Sequence, residues 1–455
     1  VVRAGMQLLR AVVDRVGPER AGLDQAASGV ISDALHAHAS DSTVAQVGGA
    51  LVQSLASHAE DVTTMVEARL LAALAASKEG GAVREYQTPE GRTYYMDAET
   101  RATSWEPPSS YRAWLDMVAL LDQHSESVKA LPEATVLACV EALGSVTGNN
   151  AVGQSLAEVL SRLGDNPSML GMLAKNDGVG RMLRAMQNNP KLPRLQLALA
   201  KLINRFARND VLKAHIAALG GIEVLVACVQ EHVANAEVLD PALSALANMA
   251  YNSLENVART IGCGGVRAVE LAMQQHPKDA AVLELCLCVL SNLMFGPDEH
   301  RVTICRACGD EIVHVVRVHF RDPKLFKTAL RALGNLSFCD SNVRYLVQEG
   351  AVECIVQGMA EHAGDEAAVQ TSVEVLGNFA AQEVDEEEEA RAREEGRESV
   401  FAVVHRQGGV HAIVGAMQAE GASPSVLVAG MDALGNLASD VETAELLLAA
   451  GVVEV

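Results

Sequence analysis

The sequence is poor in aromatic residues, in positive charge and in long apolar runs. Aromatics make up 3% of the 455 residues although 49% are hydrophobic. The core is therefore built from Ala, Leu, Val and Met, which suits close packing of helices. Only 36 basic residues stand against 58 acidic ones, a formal charge of −22. Without a basic face to displace counterions, the balance argues against a nucleic-acid partner or an anionic membrane surface. No run approaches the roughly 18 apolar residues a helix needs to cross a bilayer, so no membrane insertion is expected. The chain begins Val1-Val2-Arg3, from which no signal or transit peptide can be read, and it is expected to be a piece of a longer or processed protein.

Catalytic signatures are missing as well. There is no Gly-x-x-x-x-Gly-Lys-Ser/Thr phosphate loop, no His-Glu-x-x-His and no Gly-x-Ser-x-Gly. No catalytic residue, cofactor or metal site is expected. Cys305-Arg306-Ala307-Cys308, with His300 and His314 nearby, lacks the close second pair that a structural zinc requires and reads as buried thiols. His36 and His38 fall on different sides of a helix and read as surface. Nine cysteines, an odd number at irregular spacing, suggest reduced thiols in an intracellular protein, cytoplasmic with a cytoskeletal or ciliary variant.

The few aromatics are unevenly placed. Both tryptophans, Trp105 and Trp114, and four of six tyrosines, Tyr86, Tyr94, Tyr95 and Tyr111, lie between positions 86 and 114. Within that stretch Glu85–Thr88 and Thr93–Met96 have the composition of short strands. Pro89-Glu90-Gly91 between them is a hairpin turn, and Thr100–Trp105 makes a third strand before Pro107-Pro108. So small a sheet needs a clasp of large side chains.

Gly91-Arg92-Thr93-Tyr94-Tyr95, Thr100, Thr103, Trp105 and Pro108 resemble the WW domain family. The resemblance implies a slot for ligand prolines made by Tyr94, Thr103 and Trp105, in which flat aromatic faces grip a preformed polyproline II helix. It also implies a clasp of Val83, Tyr95 and Pro108. Val83 stands where the family has its first Trp, which weakens the clasp. Ala98 stands where tyrosine-reading members carry His. The competing reading is a hairpin insertion that packs on the helices and holds no ligand.

The remainder is repetitive. Asn204, Asn248, Asn292, Asn335, Asn378 and Asn436 occupy the same place in Leu-Gly-Asn-Leu-like segments, separated by 44, 44, 43, 43 and 58 residues. A glycine column precedes them: Asp177-Gly178-Val179, Gly220-Gly221-Ile222, Gly264-Gly265-Val266, Gly309-Asp310, Gly350-Ala351-Val352, Gly408-Gly409-Val410 and Ala450-Gly451-Val452. Each unit splits into apolar runs of helical period around a glycine turn. The surplus in the last interval is 385–399, nearly pure charge with no apolar face. It is expected to be a solvated loop or helix extension, or else a docking site for a basic partner.

Repeats of about 43 residues with these signatures resemble the armadillo family. The resemblance implies a mainly α fold, a right-handed α-solenoid with three helices per repeat and a concave groove, interrupted by the small three-stranded antiparallel WW-like sheet. Expected boundaries are 1–79 for divergent N-terminal repeats or a cap and 83–108 for the WW-like unit. An irregular helical stretch follows over 111–167, with Arg162 in the asparagine column, and the armadillo repeats occupy 168–455. The column asparagines either bond the backbone of an extended peptide in the groove or tie helices together internally.

Import receptors of the family carry Trp four residues before each Asn. Here those positions are Ala200, Ser244, Cys288, Arg331, Glu374 and Asp432, which argues against basic localisation signals as ligands. The expected function is a non-catalytic scaffold or adaptor for extended or proline-rich segments of other proteins. The alternative is an architectural subunit of a stable assembly, ciliary or otherwise cytoskeletal, whose neighbours bury the same surfaces.

Overall fold

A computed structural model describes residues 83–88, 92–97, 101–106, 131, 133–145, 150–163, 171–173, 177–380 and 398–437, with positions 66, 70, 112 and 120. The expectations for 1–79 and for nearly all of 385–399 lie outside the described residues. The chain divides into two compact units, Val1–Glu231 and His232–Val455.

The first unit holds the sheet: β1 (Val83–Gln87), β2 (Thr93–Asp97) and β3 (Thr103–Ser104), antiparallel in the order β1-β2-β3. The third strand is shorter than the expected Thr100–Trp105. Its ladder with β2 consists of Tyr95 opposite Ser104 and Met96 opposite Thr103. Beyond it the Ser104 hydroxyl closes a bend, accepting from the Glu106 amide at 3.1 Å and donating to the Glu106 carbonyl at 2.8 Å. Helices α1 (Glu133–Ser145), α2 (Asn150–Leu163), α3 (Gly178–Asn188), α4 (Pro193–Phe206), α5 (Asp210–Ala218) and α6 (Gly221–Glu231) follow. Strand β1 lies against α2, and α2 packs on α4 as one repeat's last helix packs on the next.

The second unit contains α7 (Ala236–Ala250), α8 (Leu254–Gly262), α9 (Gly265–Gln275), α10 (Ala280–Leu293), α11 (Asp298–His319) and α12 (Pro323–Leu336). It continues through α13 (Asp340–Gln348), α14 (Ala351–Glu361), α15 (Glu366–Ala380), α16 (Val400–Arg406), α17 (Gly409–Gln418) and α18 (Pro424–Leu437). The third helices of successive repeats, α7, α10, α12, α15 and α18, pack one on the next in a row. The mainly helical armadillo-type fold with a small antiparallel sheet is what the structure shows.

Local chemistry explains the boundaries. Asp279 and Asp322 cap α10 and α12, each carboxylate accepting two amide N–H bonds, and Asn209 does the same for α5. The first two helices of a repeat meet at a glycine with positive φ, for example Gly264 at 87° and Gly350 at 84°, a conformation that is costly with a Cβ. Across Gly220 the helices α5 and α6 bend by 77°. Among the described residues no single helix is long and apolar enough to cross a membrane.

One repeat departs from the expectation. Gly309-Asp310 forms no turn, and α11 runs unbroken for 22 residues. The true register is set by His232, His276, His319 and His362, at spacings of 44, 43 and 43 residues. Twelve residues before each stand Gly220, Gly264, Ala307 and Gly350. Ala307 therefore stands where the neighbouring repeats have a left-handed glycine; it keeps helical backbone instead, and the chain continues as helix. Gly309 serves packing instead, since a Cβ on it would fall 2.9 Å from the Tyr345 ring.

Candidate functional site

Strand register decides which side chains share a face. Tyr86 is directly opposite Tyr94, and Met96 opposite Thr103. Directly paired residues point the same way and alternate residues along a strand share a face, so Tyr86, Tyr94, Met96 and Thr103 lie together. Tyr95, paired with Glu85 and Ser104, belongs to the other face. Trp105 joins the first group, meeting Tyr94 edge to face with ring centroids 6.0 Å apart, and is 63% exposed. The structure thus brings Tyr94, Thr103 and Trp105 to one accessible face.

Two contributors to this face escaped the reading of the sequence. Tyr86 stacks on Tyr94 at 5.4 Å, and the Arg92 guanidinium lies 5.4 Å from the Trp105 ring centroid. The signal for Tyr86 was available, because folding Glu85–Thr88 back along Thr93–Met96 sets it beside Tyr94. The expected clasp is described only at Tyr95, which is half-buried. Pro108 and the Val83 side chain lie outside the described residues, as do Ala98 and Thr100.

The column asparagines take several roles. Asn292 Nδ2 donates to the Ala247 carbonyl at 2.9 Å, and Asn378 Nδ2 to Ser337 Oγ at 3.0 Å, each tying a third helix to the preceding repeat. Asn204 and Asn248 are also engaged. Asn335 is half-buried and Asn436 exposed. Asn378 and Asn436 both line a cleft of about 530 Å³ between α15 and α18, with Gln370, Glu374 and Asp432. Gly377 permits this approach, since a Cβ there would lie 2.7 Å from that of Ala433. Pro424, Val428, Ala429 and Ala433 also line the cleft, so at this end of the row amides and carboxylates alternate with small apolar side chains.

A second set of inter-repeat ties was not anticipated. The Nε2–H groups of His276, His319 and His362 donate to the carbonyls of Val233, Pro277 and Phe320 at 2.7, 2.9 and 2.6 Å. Their even spacing was visible in the sequence, but nothing in a histidine's identity announces a carbonyl partner in the previous repeat.

Among the described residues no group of three or more His, Cys, Asp or Glu is placed to hold a metal. Cys305 and Cys308 are buried within α11, and burial pushes the Cys305 thiol up to about 12. Cys139 and Cys228 are raised to about 12 for the same reason. Because the thiolate is the reactive form, the native protein is expected to show fast alkylation only at Cys263 and Cys339; Cys288 is partly exposed too, but burial pushes its thiol up, so it follows more slowly. Peptide mapping after brief iodoacetamide treatment checks this; early labelling of Cys286 or Cys308 contradicts it.

Beside the unbroken helix, Glu311 lines a cleft of about 400 Å³ with Gln274, Asp310, His314, Arg317 and Glu349. Gln274 Nε2 donates to Glu311 Oε1, whereas Oε2 is buried without a partner. Burial, and then the neighbouring Asp310, push this carboxyl up from 4.5 to about 7.

Residues 84–108 match the family model described as WW domain, starting one residue inside the expected boundary. An engineered protein of known crystal structure is similar to the chain with a TM-score of 0.58 at 20% identity, covering 95% of this chain and 94% of that one. A designed armadillo repeat protein solved in complex with the peptide (KR)4 has a TM-score of 0.47 at 18% identity, over 57% of this chain and 98% of that one. Another designed armadillo repeat protein has a TM-score of 0.46 at 19% identity, over 57% and 99%. No curated protein matches the chain at a significant level. Residues 84–108 are therefore WW-like in sequence and in strand order, and the chain shares its helical-repeat fold with the engineered protein.

Proposed function

We propose that the chain is a non-catalytic protein-interaction scaffold. It holds a proline-rich segment of one partner against Tyr94, Thr103 and Trp105, and extended segments along the row of third helices. The observation that carries the reading is the common face of the three slot residues, with Trp105 63% exposed beside Tyr94. A proline ring can lie on two such faces without losing internal freedom, because polyproline II is already extended and rigid. Along the row, an asparagine that gives one N–H to its neighbour keeps a second N–H and a carbonyl for a peptide backbone. Two weak contacts on one chain raise the avidity for a partner that carries both segments. The free, mostly buried cysteines support a reducing intracellular setting.

Titration of labelled proline-rich peptides against the chain and its Trp105→Ala variant tests the slot. Binding that weakens by at least about tenfold in the variant is the expected result. If the folded wild type binds none of these peptides, the slot is not a working site. The alternative, an architectural subunit whose neighbours cover this face, then takes its place.

A further inference from the structure

Large apolar side chains left in water are informative when they recur. Outside the sheet, the exposed aromatics among the described residues are Tyr251, Phe295 and Phe338, at 60%, 54% and 67% exposure. They are 44 and 43 residues apart, each three residues after a column asparagine. Each stands at the turn from the third helix of one repeat into the first helix of the next. In a chain whose core is aliphatic, three of its few aromatics occupy the same solvent-facing place in successive repeats of the second unit. Leu254, 52% exposed, links the first two turns, since its Cδ2 lies 2.9 Å from where a Cβ on Gly296 would be.

These turns are held in shape. Asn256 Nδ2 donates to the Met249 carbonyl at 2.8 Å, Arg301 Nη1 to the Gly296 carbonyl at 3.1 Å and Asn342 Nδ2 to the Leu336 carbonyl at 3.2 Å. The rings are therefore presented from ordered backbone, which lowers the entropy lost on contact. An exposed carboxylate follows each ring: Glu255 after Tyr251, Glu299 and the Arg301-paired Asp298 after Phe295, and Asp340, itself engaged, after Phe338.

We propose that this edge of the second unit is a docking surface, separate from the slot and the groove, for a partner segment in which apolar side chains alternate with Lys or Arg. Apolar groups of the segment cover the rings, and its cations meet the carboxylates beside them. The same carboxylates repel an anionic lipid surface. A second copy would bring them face to face on a chain of charge −22.

The test uses the full chain and three labelled peptides of equal length: Leu with Lys, Ser with Lys, and Leu with Glu. The Leu/Lys peptide is expected to bind most tightly, and about tenfold more weakly to Phe295→Ser/Phe338→Ser. Trp105→Ala leaves that affinity unchanged, which separates this surface from the slot. Both serines replace exposed rings, and an unchanged melting curve establishes that the double variant is folded. No binding of the Leu/Lys peptide, equal binding by the double variant, or equal affinity for the Leu/Glu peptide overturns the proposal. So does dimerisation, or binding to phosphatidylcholine vesicles, that disappears in the double variant.

Discussion

Phe326→Ala is expected to destabilise the second unit by about 3–5 kcal/mol, the range for emptying a well-packed aromatic site. Phe326 is fully buried on α12. Its ring fills space left by a glycine: a Cβ on Gly358 would lie 2.2 Å from Phe326 Cε2. The His362 ring, which also makes the tie to Phe320, stands 5.3 Å away. With no side chain at 358 to collapse inward, the cavity persists, and the upper half of the range is expected. Urea unfolding followed by far-ultraviolet circular dichroism measures the loss. A shift corresponding to less than about 1 kcal/mol would mean that neighbouring helices close the gap.

Glu311→Gln is expected to stabilise the protein at pH 8 by about 2 kcal/mol and to change little at pH 4. The folded protein holds a proton on Glu311 up to about pH 7, whereas the unfolded chain releases it near 4.5. Between those values the folded state binds more protons, so this group's contribution falls as pH rises. A shift of that size is about 3 kcal/mol when fully expressed; partial exposure to solvent reduces it to the figure given. Glutamine cannot ionise. Its carbonyl still accepts from Gln274, and its amide puts a donor where the buried Oε2 has no partner. Thermal melts of both proteins from pH 4 to pH 8 should diverge upward through this window. Parallel curves would sink the assignment.

How much was legible follows from what each feature depends on. The helical repeat could be read because asparagine and glycine recur at nearly constant intervals, and a left-handed turn tolerates few other residues. The same logic failed at Gly309, where a glycine two residues out of register looked like the turn. What decided the matter was the alanine at 307, whose effect shows only once the histidines fix the register. Tyr94, Thr103 and Trp105 were singled out through the resemblance to the WW family, and strand alternation places them on one face. Tyr86 could have been found by folding the first expected strand back on the second, whereas Arg92 could not, because its part depends on where a cation settles over a ring. The choice for the asparagines between peptide and internal partner depends on how closely successive helices approach. Small residues such as Gly377 control that distance, and sequence spacing does not report it.

The inter-repeat ties through His276, His319, His362 and Asn292 all end on main-chain carbonyls, those of Val233, Pro277, Phe320 and Ala247. A carbonyl is present whatever side chain its residue bears, and here the acceptors belong to a valine, a proline, a phenylalanine and an alanine. These four ties thus place almost no demand on the identity of the residues gripped, unlike the tie from Asn378, which needs the hydroxyl of Ser337. Where the acceptor is a carbonyl, evolution can rewrite the residue that bears it, one repeat at a time, without a compensating change in its donor.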